Sequence, residues 1–312
     1  MTAAPRPAGA GVAVAGDDFA RHLASLEHSW TGLPCKPDET PEATLRALWL
    51  TAAGRPCSAE LAARRSLPAL GLAERRELDR LVDQRRSGVP LSYLTGRQSF
   101  MGLELRAGPE ALIPRRETEL LGNAALDLLR GVIAERGRAL VVDLCTGAGN
   151  LALALAHHET ACEVAASDLS ADAVSLARRN AEELELTDRV RFFEGDLFAP
   201  FGTEDFRRKV DLVVCNPPYI SSVKVDAMPE EISRFEPRLA LDGGAFGISI
   251  LFKLVTGAPR LLKPGSWLCF EVGAGQGEPM AARLERAAAY DVVDRVCDRA
   301  GNVRALLART RD

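Results

Sequence analysis

Histidine is scarce in this chain, with four in 312 residues, and no Cys-x-x-Cys pair occurs, so little is available from which to build a metal site. The seven cysteines, Cys35, Cys57, Cys145, Cys162, Cys215, Cys269 and Cys297, are odd in number and widely scattered, most of them inside apolar runs. That excludes a disulfide framework and reads as the reduced thiols of a cytoplasmic protein. No stretch approaches the ~20 apolar residues that span a bilayer. Basic residues are not in excess. A net charge of −4 and a pI near 5.8 argue against a broad surface for a phosphate backbone, although a local basic groove fits within such a total. Residues 1–16, rich in Ala, Gly and Pro, carry no sustained apolar block and read as a loose tail, not a signal peptide.

What is present is apolar and periodic. Close to half of the residues are hydrophobic, enough for one large domain with a smaller companion. Over residues 17–93 the pattern is helical: Phe19, Leu23 and Leu26, then Leu45, Leu48 and Leu50, then Leu70, Leu72, Leu78, Leu81 and Val82. Gly54-Arg55-Pro56 and Ser66-Leu67-Pro68 punctuate it. The paired arginines at 64–65, 75–76 and 85–86 read as solvated faces. Across 94–113 short strand-like pieces take over, Ser99 to Leu105 and Ala111 to Ile113 with a Gly108-Pro109 turn between, which predicts a β-hairpin linker. Pro114 to Glu119 then opens an apolar-faced helix, its proline and acids suited to the positive end.

From Ala139 strands and helices alternate. Ala139–Leu144, Val164–Asp168, Val190–Phe193, Val210–Cys215 and Trp267–Val272 read as buried strands, separated by helical stretches. This is the signature of an α/β fold with a mostly parallel, doubly wound sheet, in which ligands bind at the carboxyl ends of the strands. Asp143, Asp168, Asp196 and Asn216 fall at or just after such ends, so one crevice collects four polar residues. His157 and His158 close a predicted helix, where cations suit the dipole.

Two loops carry chemistry. Gly147-Ala148-Gly149-Asn150-Leu151-Ala152 fits a glycine-rich nucleotide loop, with Asp168 about 20 residues on to accept from vicinal ribose hydroxyls, and that much suits NAD or S-adenosylmethionine equally. Asp143, just before the loop, separates them. An acid there repels a pyrophosphate but favours the positively charged methionine end of S-adenosylmethionine. The second loop follows the strand ending at Cys215: Asn216-Pro217-Pro218-Tyr219. Adjacent prolines fix φ and donate nothing, Asn offers an acceptor and a donor, and Tyr offers a flat face, a set suited to holding a planar group.

Taken together the chain resembles the HemK-type methyltransferases, which modify the side-chain nitrogen of protein glutamine and whose best-known substrates are peptide chain release factors. The likeness runs from about Gly88 onward and rests on Phe100, Pro114-Arg115 with Glu117-Thr118-Glu119, Asp143 to Gly149, Asp168-Leu169-Ser170, Asn216 to Ile220, Glu236 to Leu241, and Glu271-Val272-Gly273 with Gln276. Cys145 stands where that family most often has glycine. The resemblance implies a class I S-adenosylmethionine-dependent methyltransferase domain (Rossmann-like, 114–312) joined by the hairpin to an N-terminal helical domain that recognises substrate. It further implies that Asp143, Thr146, Gly147, Gly149, Asp168, Leu169, Asp196, Leu197 and Asn216 hold the donor. Phe100, Arg115, Glu119, Asn216, Pro217, Pro218 and Tyr219 would meet the acceptor.

An amide nitrogen shares its lone pair with the carbonyl and is a poor nucleophile. If the Asn216 side-chain oxygen and the Pro217 carbonyl each accept one NH₂ hydrogen, they orient that nitrogen, with Tyr219 packed beside it. Catalysis would then be positioning, without a strong base. An adenine-N6 nucleic-acid methyltransferase poses the same geometric problem but must grip a polymer and flip a base, against which the acidic balance and the lack of a basic recognition domain count. Methylation of a metabolite or of another protein is the other alternative.

Overall fold

The computed structural model describes residues 10–30 and 32–312. The chain divides into two compact units, one up to Ser99 and one from Phe100. Much of the stretch read as a loose tail, residues 1–9, lies outside the described residues, and the rest of it is helical, because α1 starts at Ala10.

The first unit is built from α1 (Ala10–His28), α2 (Pro41–Ala52), α3 (Ala59–Ala62), α4 (Leu72–Arg86) and α5 (Leu91–Thr95). Thr40 caps α2 by accepting from the Ala43 N–H at 3.1 Å, and Pro41 fills the first helical position, where its missing donor does no harm. Leu26, Leu45, Leu48, Leu50, Leu78, Leu81 and Val82 form its buried core, as their spacing predicts. Leu72 does not join them. It opens α4 with its side chain in solvent.

β1 (Arg97–Phe100) and β2 (Leu103–Arg106) form a two-stranded sheet. The hairpin turns at Met101 and Gly102, both at positive φ, and not at Gly108-Pro109. Ala111–Ile113 is not a strand either: the Ile113 N–H donates to the Glu236 carboxylate at 3.1 Å. That hold, with the neighbouring Arg115 drawn onto the same carboxylate, keeps Pro114 out of a helix. α6 starts later, at Thr118, and runs to Arg136.

Among the described residues, the second unit then runs β3 (Ala139–Leu144), α7 (Asn150–His158), β4 (Cys162–Asp168), α8 (Ala171–Glu183), β5 (Val190–Glu194), β6 (Val210–Cys215), α9 (Ser222–Asp226), α10 (Glu230–Ser233), α11 (Ser249–Gly257), β7 (Leu262–Glu271), α12 (Gly277–Arg286), β8 (Tyr290–Cys297) and β9 (Val303–Thr310). They make a seven-stranded sheet in the order β5-β4-β3-β6-β7-β9-β8, parallel through β7 and antiparallel at β9 and β8. Leu144 lies opposite both Ser167 and Cys215, and Cys215 opposite Phe270, so the carboxyl ends of the central strands are level. The order reverses between β3 and β6, which opens the crevice where such sheets bind ligands. Apolar cores fill both faces.

Candidate active site

A cavity opens at the carboxyl ends of β3, β4, β5 and β6. Of the expected donor-binding residues, Thr146, Gly147, Asp168, Leu169, Asp196, Leu197 and Asn216 line it. Arg115 and Pro218, expected at the acceptor, line it as well.

The β3–α7 turn is held from below. Asp143 is wholly buried at the end of β3, and its Oδ2 accepts from the Thr146 hydroxyl at 2.6 Å and from the Ala152 N–H at 3.2 Å. It is not among the residues that line the cavity: Oδ2 braces the turn and the first turn of α7, while Oδ1 is buried with no hydrogen-bond partner among the described residues. Burial pushes its pKa up to about 7, the two hydrogen bonds pulling down against it and the Asp168 charge adding to the rise. Gly149 also faces away from the cavity. At φ +83 its Cβ would lie 3.1 Å from both Ala177 and Leu153, so this glycine serves helix packing.

Asp168 sits at the tip of β4, where Oδ2 accepts from the Gly147 N–H at 2.8 Å and Oδ1 from the Ser170 N–H at 2.9 Å. Each oxygen keeps a lone pair for a further donor. Burial raises its pKa and these backbone N–H groups oppose the rise. Ser170 caps α8 through the Ala173 N–H at 3.2 Å. Leu197, and Cys145 where the resembled family most often has glycine, line the cavity at φ +47 and +56, a left-handed conformation that side chains rarely adopt and that concentrates at ligand sites. Asp196 is at the rim, 63 % exposed, with Lys253 at 3.8 Å.

Asn216 follows β6, and its Nδ2 donates to the Thr118 hydroxyl oxygen at 3.1 Å. Pro217 is buried and Tyr219 is half-buried, and neither is among the residues that line the cavity. The Tyr219 hydroxyl instead donates to Glu271 Oε1 at 2.7 Å. Burial, then the neighbouring Glu271, raises the Tyr219 pKa well above its ordinary value. The loop is clamped by a second one: Gly243 N–H donates to the Ile220 carbonyl at 2.8 Å, and Gln276 Nε2 donates to the Tyr219 carbonyl at 2.9 Å. Gly247 is required there, since a Cβ would fall 2.1 Å from the Tyr219 oxygen.

Two expected acceptor residues lie elsewhere. Phe100 is fully buried in the core with Leu121 and Leu126, which leaves no face for a substrate. Glu119 accepts from the Met101 N–H at 2.8 Å and braces the hairpin turn. Arg115, by contrast, reaches the cavity while its Nη2 lies 2.5 Å from Glu236 Oε1, a buried ion pair that fixes the loop around the opening. Among the described residues no cluster of three or more His, Cys, Asp or Glu is arranged to hold a metal.

The chemistry of this cavity fits S-adenosylmethionine: a half-buried carboxylate at Asp168 with spare lone pairs for ribose hydroxyls, and apolar Leu197, Ala173 and Ile250 for a purine. Fold and site together define a class I, Rossmann-like methyltransferase. The same fold occurs in the human methyltransferase 10 domain containing protein (TM-score 0.50, 17% identity, 68% of this chain and 90% of that one). It recurs in the hMettl16 catalytic domain in complex with MAT2A 3′UTR hairpin 6 (TM-score 0.52, 16% identity, 68% and 77%). Residues 123–246 match the methyltransferase small domain family. The chain belongs to the release factor glutamine methyltransferase family: it is 38% identical to the member from Moorella thermoacetica over 74% of this chain and 78% of that protein. It is 37% identical to the Salmonella typhimurium member over 76% and 81%.

Proposed function

We propose that this chain methylates the side-chain amide nitrogen of a protein glutamine with S-adenosylmethionine as donor, and that its protein substrate is a peptide chain release factor. The observation that carries the reading is Asn216: its NH₂ gives one hydrogen to Thr118, which holds that end of the amide and leaves Oδ1 to accept at the cavity wall. A primary amide brings hydrogens to be accepted. With one of them on Asn216 Oδ1 and another on the Pro217 carbonyl, the amide is held in one orientation and its nitrogen presented in one direction.

Bound beside Asp168 and Leu197, S-adenosylmethionine supplies an electrophilic methyl carbon on a positive sulfur. The methylated amide nitrogen sheds a proton to water, so no general base is needed among the cavity residues. The helical unit up to Ser99 is assigned to substrate recognition, a role supported by family membership. A cytoplasmic site of action suits the release factor, and no helix among the described residues is long and apolar enough to cross a membrane.

The test is transfer of labelled methyl from S-adenosylmethionine to a purified release factor, with mass spectrometry locating the label. Label on the glutamine of the Gly-Gly-Gln loop is the expected result. Asn216→Ala is expected to lower turnover at least ~100-fold while donor affinity changes little. Donor binding without transfer to the release factor would transfer the proposal to another amide acceptor.

A further inference from the structure

The loop after β6 is stiff and poor in donors, and this decides how it has to be held. The rings of Pro217 and Pro218 fix φ near about −65° and leave neither residue an N–H, so the stretch is tied down chiefly through its carbonyls. Among the described residues the Pro217 carbonyl has no donor of its own. It is the carbonyl that is to take a substrate hydrogen, and its direction is inherited from the residues that follow it.

Those residues are gripped by Gln276, which stands at the start of α12. Its Nε2 donates to the Tyr219 carbonyl at 2.9 Å and to the Gly247 carbonyl at 3.2 Å, and its Oε1 accepts from the Gly273 N–H at 2.9 Å. Both amide hydrogens are therefore used. Turned over, the amide would set its oxygen against two carbonyls and its NH₂ against an N–H, so these neighbours permit one orientation. Glycines clear the space. A Cβ at Gly273 would lie 3.0 Å from both Gln276 Oε1 and Tyr219 Cδ2, and one at Gly243 would lie 2.5 Å from the Pro218 oxygen. Ile220 adds two ties of its own backbone, its N–H donating to Leu241 at 3.1 Å and its carbonyl accepting from Gly243 at 2.8 Å. Of the bonds to the backbone of this stretch, the one from Gln276 comes from a side chain.

We propose that Gln276 is a positioning residue for methyl transfer. By holding the Tyr219 carbonyl it sets the direction of the Pro217 carbonyl, two residues back along a segment that the prolines make too stiff to compensate, and with it the plane in which the acceptor amide lies. The inference rests on the glutamine-amide reading above. Gln276→Glu keeps the length of the side chain but turns a carboxylate oxygen onto two carbonyls, where every group accepts and none donates. Gln276→Leu removes the donors without adding that repulsion. The glutamate variant should therefore be the worse of the two, an order that loss of packing alone would reverse.

Two measurements on the full chain at pH 8.5 test this. The first is hydrogen exchange of the Ile220 N–H, followed by nuclear magnetic resonance in the S-adenosylmethionine-bound protein, which needs no acceptor. Exchange should quicken ~10-fold in Gln276→Leu and more in Gln276→Glu, while the Val214 N–H within β6 keeps its wild-type rate. The second is single-turnover transfer to saturating release factor by rapid quench, which reads the chemical step. Its rate should fall ~10-fold in Gln276→Leu and ~100-fold in Gln276→Glu, with donor affinity within ~2-fold in both. Wild-type transfer rates in both variants overturn the inference, whether or not exchange quickens, and so does a leucine variant slower than the glutamate one. A loss of donor affinity as large as the loss of rate overturns it as well, since Gln276 would then only support the fold. Exchange that responds as expected while the wild type fails to label the release factor supports the hold exerted by Gln276 and removes the acceptor.

Discussion

Asp143→Asn should change how stability depends on pH, and the size of the change follows from one buried carboxyl. In the unfolded chain Asp143 titrates near 3.8; in the folded one burial moves it to about 7. Between those values the folded state binds more protons than the unfolded state, so stability falls as pH rises: the contribution is complete below the unfolded pKa and is lost as pH passes the folded one. At about 1.4 kcal/mol per pH unit between the two values, the loss amounts to about 4 kcal/mol. Asparagine has no such titration. Its oxygen can take over the hydrogen bonds from Thr146 and Ala152, and its NH₂ falls where Oδ1 has no partner, a penalty of about 1–3 kcal/mol that is the same at every pH. The variant therefore begins less stable than the wild type at pH 4.5, gains on it until the pH passes about 7, and then holds level up to pH 8.5. Of the full loss, about 3 kcal/mol falls between pH 4.5 and pH 8.5, and for a unit of this size roughly 2–4 °C of melting temperature corresponds to each kcal/mol, so the melting-temperature difference should move by roughly 6–12 °C. Glu271, also pushed by burial to about 7, is present in both proteins and cancels. Scanning calorimetry of the ligand-free chain at constant ionic strength measures this. A difference that stays flat across the range would refute the reasoning, since it would mean that Asp143 ionises in the folded protein as easily as in water.

Two further substitutions separate the frame of the site from its chemistry. Gly247→Ala places a Cβ 2.1 Å from the Tyr219 carbonyl oxygen at a φ of +68, so the Asn216–Tyr219 loop has to move; transfer should fall ~100-fold or more while isothermal titration still finds donor affinity within a few-fold. Glu236→Gln takes the carboxylate away from the buried Arg115 guanidinium and should lower stability by about 3–5 kcal/mol in denaturant unfolding; adding Arg115→Met should recover part of that loss, and a double variant worse than the sum of both singles would contradict the pairing.

The parallel part of the sheet was legible because its strands are buried on both faces and read as unbroken apolar runs: Ala139–Leu144 and Val210–Cys215 lie within the same bounds in sequence and structure. β8 and β9 were not anticipated. Tyr290–Cys297 mixes exposed Asp291, Asp294 and Arg295 with its apolar residues, so its sequence carries neither a run nor a clean alternation. Helix boundaries failed where a tertiary partner outweighed local preference, as at Pro114, where the Glu236 carboxylate 123 residues from Ile113 decides the backbone.

The site divides along the same line. Residues that project from strand ends, such as Asp168 and Asn216, were legible because sheet topology alone places them. Residues whose role depends on which way a side chain turns were not. Asp143 and Asp168 are both acids at the ends of neighbouring strands, yet one turns an oxygen beneath the loop to Thr146 and Ala152 and the other lies in the cavity. Pattern can bring an acid to the rim; only packing decides which face it serves. Thr118 and Glu271 make the point most sharply. Each is an ordinary polar residue at a helix start or a strand end, and neither touches the other in sequence. Thr118 accepts from Asn216 and Glu271 from Tyr219, two bonds that exist only once α6, β6 and β7 have packed, and between them they hold both ends of the Asn216–Tyr219 loop.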